Sequence, residues 1–425
     1  MKKLILLFSL VYLSFSSLAQ TSYLHCGKLI DVEKGKILEE MTVIVEGQKI
    51  VGLEKGYKNA EDGVEVIDLK SKTVMPGLFD MHVHIESETA KDGYIKRFTL
   101  NEADIAFQSV VYAKKTLMAG FTSVRDLGGT GVNSSLRDAI NKGYVDGPTI
   151  YSAGKSIATT GGHADPTNGY KSDLMGNPGP AEGVVNSPEE ARKAVRQRYK
   201  NGADVIKITA TGGVLSMAKN GQNPQFFEDE LKAIVETAND YGMITAAHAH
   251  GDEGMQRAIR AGIKTIEHGT LMSEETMELM KEYDAYYVPT ITAGKSVAEL
   301  AEIEGYYPEV VVPKAKAIGP KIQDTFSKAY KKGVNIAFGT DAGVFKHGEN
   351  GKEFGYMVEA GMPAMEAIVS ATVTPAKLLK VYDQYGSIAK GKMADIIAVE
   401  DDPTENVNTM EDVKFVMKKG KIYKN

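Results

Sequence analysis

The chain has 425 residues, 43% hydrophobic and 25% charged, with a formal net charge of -6 at pH 7. This is ordinary globular composition, with material for one large domain or two to three smaller ones. The acidic balance argues against a nucleic-acid partner or an anionic membrane surface, and no apolar run after the first residues is long enough for stable membrane insertion.

In chain order, Met1-Lys2-Lys3 is a positive start, Leu4 to Phe15 an apolar stretch and Ser17-Leu18-Ala19 a small-x-small cleavage signal. These features predict a signal peptide over residues 1–19, cut after Ala19, and export to a periplasmic or extracellular location. Cys26 is the only cysteine, so there is neither a disulfide framework nor a thiolate metal site. Its apolar strand surroundings make it a small core residue rather than a nucleophile.

From Tyr23 to Lys72 the pattern is one of short strands broken by Gly and charged turns, including Leu29-Ile30-Asp31, Thr42 to Val45 and Lys49 to Gly52. The end of the chain has the same texture: Asp395 to Val399, Val413 to Met417 and Gly420 to Tyr423. Two small β-rich segments at opposite ends are expected to fold together as one β-sandwich, from residues 20–73 and 381–425. Residues 74–380 are then a separate, contiguous domain.

That middle alternates apolar strand-like runs with helical patterns, the signature of parallel β/α units. The runs are Val74 to Ile85, Phe121 to Arg125, Thr149 to Ser152, Val205 to Thr209, Ile244 to His248, Thr265 to His268, Tyr286 to Thr290 and Asn335 to Gly339. Between them lie amphipathic stretches such as Ser187 to Lys200 and Glu228 to Tyr241, both opening with acidic residues. Eight such units point to a (β/α)8 (TIM) barrel. An open doubly wound sheet is the competing architecture, but no Gly-x-Gly-x-x-Gly turn follows the first strand.

Chemistry in such barrels sits at the C-terminal strand ends. A strand points alternate side chains the same way, so His82 and His84 present two imidazoles side by side. His248 ends the fifth run, His268 the sixth, and Asp341 follows the eighth in Gly339-Thr340-Asp341-Ala342-Gly343. Four of the eight histidines and one aspartate thus gather where a barrel would bring them together. In Val205-Ile206-Lys207-Ile208-Thr209 the two isoleucines would face the helices and Lys207 the interior, where an unpaired ammonium is costly. Lys207 is either paired with an acid or held neutral, and a neutral amine can take up carbon dioxide to become a carbamate ligand bridging two metals.

The set His82, His84, Lys207, His248, His268 and Asp341 resembles the amidohydrolase superfamily of binuclear metal hydrolases, over nearly the whole mature chain. Gly202 to Ile208, Thr160 to Asp165, His248-Ala249-His250-Gly251 and Ile266 to Thr270 resemble the branch of Xaa-Pro dipeptidases (prolidases) and amino-acid carboxypeptidases. Imidazolonepropionase-like proteins share the barrel but usually lack the lysine ligand. The resemblance implies two divalent metal ions, zinc first, although manganese, cobalt or iron also suits these ligands. It implies carbon dioxide held as a carbamate on Lys207, and cleavage of dipeptides or N-acyl amino acids by a metal-bridging hydroxide. Asp341 would be both ligand and proton shuttle, while His163, His250 and His347 would stabilise the oxyanion or bind a substrate carboxylate. His248 takes the ligand role because it lies within the apolar strand, with His250 the alternative on the same face. The same centre would also serve an esterase, a lactonase or a phosphotriester hydrolase, and a scaffold without catalysis is a further reading. The expected partners are a small-molecule substrate and further copies of the chain in a homo-oligomer.

Overall fold

The computed structural model describes residues 20–219 and 221–425. The expected signal peptide lies outside these residues. Four strands open the fold: β1 (Thr21–Asp31), β2 (Lys36–Glu46), β3 (Lys49–Lys55) and β4 (Glu65–Pro76). Eight further strands follow: β5 (Leu78–Val83), β6 (Phe121–Asp126), β7 (Thr149–Ser152), β8 (Val205–Thr209), β9 (Ile244–Ala249), β10 (Thr265–His268), β11 (Tyr286–Val288) and β12 (Asn335–Ile336). They fall on all eight runs read from the sequence. The chain closes with β13 (Ile396–Val399), β14 (Phe415–Lys418) and β15 (Lys421–Lys424).

The two ends of the chain do meet. One seven-stranded sheet runs β15-β14-β13-β4-β1-β2-β3, with β4 parallel to β1 and antiparallel to β13. Its outer strand β3 turns back toward the segment before β13, where Ile50 N donates to Lys392 O (2.9 Å) and Ala394 N to Gln48 O (2.9 Å). The bent sheet encloses its own core of Leu24, Cys26, Val43, Ile67, Ile396 and Phe415. Alternation of apolar and polar residues along β4 puts Ile67 and Leu69 on that core and Asp68 and Lys70 outside. Val74 to Pro76, read from the sequence as the start of the first barrel strand, still belong to β4. Pro76-Gly77 is the turn between the two units. A side chain on Gly77 would lie 2.3 Å from Thr122 Oγ1, so only glycine fits there.

The parallel strands pair in chain order as β5-β6-β7 and β8-β9-β10-β11-β12. Hydrogen bonds join the two groups at both edges. On one side Asp204 N donates to Ser152 O (2.7 Å) and Thr209 N to Ile157 O (3.0 Å). On the other, Met81 N donates to Phe338 O (2.9 Å), Asp341 N to His82 O (2.7 Å) and His84 N to Ala342 O (2.7 Å). Helices lie between the strands. In the helix Pro188–Lys200, for example, Ser187 Oγ accepts from Glu190 N (3.3 Å), Pro188 opens the first turn, and Ala191, Ala194 and Val195 are buried in the large core with Ile206 and Ile208. No helix among the described residues is long and apolar enough to cross a membrane.

Candidate active site

The last residue but one of β5 and the residue just after it supply two imidazoles. His82 is fully buried, whereas the His84 side chain keeps 29% exposure. His84 Nδ1 donates to Gly128 O (2.7 Å) and His82 Nδ1 to a Glu267 carboxylate oxygen (3.0 Å). A neutral imidazole that donates through Nδ1 presents a lone pair at Nε2. Both Nε2 atoms point at Asp341, 3.5 Å from Oδ1 for His82 and 3.4 Å for His84.

Lys207 sits mid-strand in β8, with Ile206 and Ile208 in the outer core as their alternation requires. Its Nζ lies 3.3 Å from His82 Nε2, and among the described residues no carboxylate forms an ion pair with it. Burial drives its pKa down from the ordinary lysine value and that of Asp341 up from the ordinary carboxylate value. Asp341 Oδ1 is buried without a hydrogen-bond partner among the described residues. A polar atom left so needs a ligand to offset its lost hydration.

His268 ends β10 and its Nδ1 is hydrogen-bonded to Thr290 Oγ1 (2.7 Å). His82, His268 and Asp341 each offer one donor atom, all within 4.8 Å of one another. The His248 ring lies 4.7 Å from the His268 ring, and His248 Nε2 donates to Gly212 O (3.2 Å), which leaves the Nδ1 lone pair free. Burial pushes these imidazoles below their ordinary value, His84 to about 4, and it also holds His82, His248 and His268 well below that ordinary value. Neutral imidazoles, a buried lysine beside them and an orphaned carboxylate oxygen form a donor set that fits divalent metal ions.

His268 (φ 71°), Thr290 (φ 54°) and Asp341 (φ 62°) are all left-handed non-glycine residues. Such backbone costs about 1–3 kcal/mol each and is held only where the surroundings impose it. Asp80 does so for Asp341, accepting from Thr340 N (3.0 Å), Thr340 Oγ1 (2.6 Å) and Asn350 Nδ2 (2.8 Å). Glu353 does so for Thr290, accepting from Ile291 N and Thr292 N (both 2.7 Å) at the following helix start.

The three other histidines expected at the site separate. His163 stacks on His248 (ring centroids 4.2 Å, 25°) and its Nδ1 is buried with no partner among the described residues. Gly213 makes room for that ring, since a side chain there would come within 2.2 Å of it. His250 packs against both His248 (4.7 Å) and His268 (5.1 Å), with Nδ1 on Thr270 Oγ1 (2.9 Å). His347 is held by neighbouring loop and helix residues. Its Nε2 donates to Ser87 O (2.9 Å), its Nδ1 lies 3.3 Å from Thr116 Oγ1, and its ring stacks on Tyr112. Both of its ring nitrogens thus lie within reach of protein oxygen atoms.

Sequence reasoning passed over Arg125 and Glu267, which are both completely buried and paired at 2.8 Å behind His82. Their signal was available: each is a charged residue in a short, otherwise mostly uncharged strand, Phe121–Asp126 and Thr265–His268.

Lone pairs gathered around one carboxylate at the ends of parallel strands define a hydrolytic enzyme. Residues 73–423 match the amidohydrolase family, and the chain belongs to it. It is a hydrolase acting on amide bonds. Among its relatives is ochratoxinase from Aspergillus niger, 35% identical over 374 residues, spanning 83% of this chain and 75% of that protein. Among solved structures, a Xaa-Pro dipeptidase with methionine bound in its active site is 53% identical with a TM-score of 0.93, covering 95% of this chain and all (100%) of that one. A prolidase complexed with N-methylphosphonate-L-proline is 33% identical with a TM-score of 0.87, at 95% and 100% coverage.

Proposed function

We propose that the chain is a binuclear metal-dependent dipeptidase or carboxypeptidase, cleaving Xaa-Pro dipeptides or N-acyl amino acids. In this reading the eight parallel strands close as a (β/α)8 barrel, supported by the hydrogen bonds at both sheet edges, with the terminal sheet as a small β-sandwich beside it. His82, His84, Lys207, His248, His268 and Asp341 would hold the two ions. Lys207 would serve as its carbamate, formed when the neutral amine adds carbon dioxide and releases a proton. Zinc suits this nitrogen and oxygen donor set. Held by these residues, two divalent ions would supply a water of lowered pKa and a polarised scissile carbonyl.

The chain's own residues then handle protons and orientation. Asp341 Oδ1 accepts the proton of the attacking water and returns it to the leaving amine nitrogen. Its buried position, fixed through Thr340 by Asp80, keeps bulk water from competing for that proton. His163 and His250, packed on His248 and His268, would donate to the substrate.

The observation that carries the substrate reading is His163 Nδ1, buried without a partner among the described residues yet with its ring stacked on His248. A carboxylate oxygen of an amino-acid product would satisfy it. The methionine in one related structure and the proline derivative in another both carry such a carboxylate, which supports the reading. The test is a pair of efficiencies on metal-loaded protein, the free acid of an Xaa-Pro dipeptide or N-acyl amino acid against its C-terminal amide or methyl ester. A site built to pair that carboxylate favours the free acid by at least about 100-fold, and His163→Ala narrows the gap. Equal rates would remove the carboxylate pocket and favour an esterase or lactonase.

A further inference from the structure

The Arg125–Glu267 pair lies where no substrate reaches, and its geometry is specific. Arg125 rises from β6 and makes three hydrogen bonds to two other strands. Its Nε donates to Met81 O (2.7 Å), its Nη1 to Thr265 Oγ1 (3.1 Å) and its Nη2 to Glu267 Oε1 (2.8 Å). Thr265 Oγ1 also donates to Glu267 Oε1. Met81 is the residue before His82 on β5, and Glu267 is the residue before His268 on β10. One guanidinium therefore ties the backbone carrying the first histidine to the acid beside the last.

The consequence falls on His82. Glu267 Oε1 is occupied by two donors, so Oε2 alone faces His82 Nδ1, at 3.0 Å. An arginine can only donate, and an ionised carboxylate can only accept. At zero exposure of both side chains, the charge on Glu267 is held by the guanidinium rather than by water. His82 must then carry its proton on Nδ1 and present a bare Nε2.

We propose that Arg125 and Glu267 are a positioning pair that selects the His82 tautomer, leaving Nε2 as the nitrogen free for a metal. The pair acts through His82 and touches neither substrate nor reacting atoms. It also fixes ring rotation, because Oε2 is anchored from the opposite oxygen. Carboxylates behind a metal-binding imidazole have this effect in general. Here the carboxylate is itself fixed by an arginine bonded to the histidine's own strand. The inference rests on the metal-centre reading for its consequence, although the tautomer can be measured without a metal.

The experiment uses full-length mature protein labelled with nitrogen-15 in histidine and stripped of metal, with His82 assigned from the His82→Gln spectrum. The wild type is expected to show Nδ1 protonated and Nε2 bare. Glu267→Met, of similar length and without an acceptor, is expected to show protonation at Nε2. Glu267→Gln has one oxygen for the three donors that share two in the wild type, and is expected to show a measurable fraction of His82 protonated at Nε2. Zinc affinity, read by chelator competition, should drop about 10- to 100-fold in Glu267→Met. A wild-type His82 protonated at Nε2 overturns the proposal, and that spectrum decides even if Glu267→Met does not fold. An unchanged tautomer in a folded Glu267→Met overturns it equally. If wild type and variants alike bind no zinc, the metal reading fails while the nitrogen spectra still decide the pair.

Discussion

At the residue scale, three positions carry the argument. Asp341 is placed by a left-handed backbone that only its neighbours make tolerable, and Lys207 by burial beside an imidazole instead of an acid. Lys207→Ala should abolish hydrolysis and reduce bound metal below about two ions per chain, with partial rescue by short carboxylic acids that mimic a carbamate. Full activity of that variant without additives would sink the carbamate reading. Arg125 is the third. Arg125→Met leaves the Glu267 charge buried and unpaired, which costs about 3–5 kcal/mol. Denaturant titration should show that loss, and the double variant Arg125→Met/Glu267→Met should recover part of it. Cys26 gives a simpler check, since burial pushes its thiol up to about 12. Thiol reagents should label the native protein only as fast as it unfolds.

At the element scale, the contact between the terminal sheet and the parallel strands is set by a few close approaches. Gly77 packs on Thr122, and Lys418 at the end of β14 reaches across to donate to Gly147 O (2.7 Å). Gly77→Ala would place a methyl carbon where the rigid β-branched Thr122 already stands, destabilising by about 1–3 kcal/mol. Lys418 makes the junction pH-dependent. Burial lowers its pKa from 10.5 to about 8, so the native state holds that proton less tightly than the unfolded chain. Its penalty is therefore full below pH 8 and is relieved as pH rises from about 8 to 10.5. Relative to Lys418→Met, the wild type should gain about 2–3 kcal/mol between pH 7.5 and 10 in urea unfolding. A constant difference across that range would mean that the amine stays charged.

At the scale of the whole molecule, the chain begins and ends in one sheet. β4 lies between β1 and β13, so neither terminal segment can bury the shared core alone. Deleting residues 396–425 would expose Val74, Met75 and Leu24, and the truncated chain should lose soluble expression. The positive start, the short apolar stretch and Ser17-Leu18-Ala19 support export of the chain. We therefore keep export as a proposal. Sequencing of the native protein should find an N-terminus near Gln20, and a retained Met1 in cytoplasmic material would refute export.

The sequence by itself displayed the eight strand runs, the matching texture of the two chain ends and the residues proposed for the centre. Strand ends advertise chemistry when polar residues interrupt short apolar runs. His82 and His84 do so by their spacing of two, and Lys207 by standing between two isoleucines whose direction is fixed by alternation. Only the tertiary structure decided what lies behind and around them. Arg125 and Glu267 are 142 residues apart, and no local pattern relates them. Val74 to Pro76 look apolar enough for either sheet, and it was pairing with β13 that assigned them to β4. His347 and His163 are both loop histidines, indistinguishable by spacing. One lies against Ser87 and Thr116, while the other keeps a nitrogen without a partner among the described residues and stacks on His248. Period and residue type are local properties that a sequence displays directly. Which polar atom finds a partner depends on contacts between distant segments, and those exist only once the chain has folded.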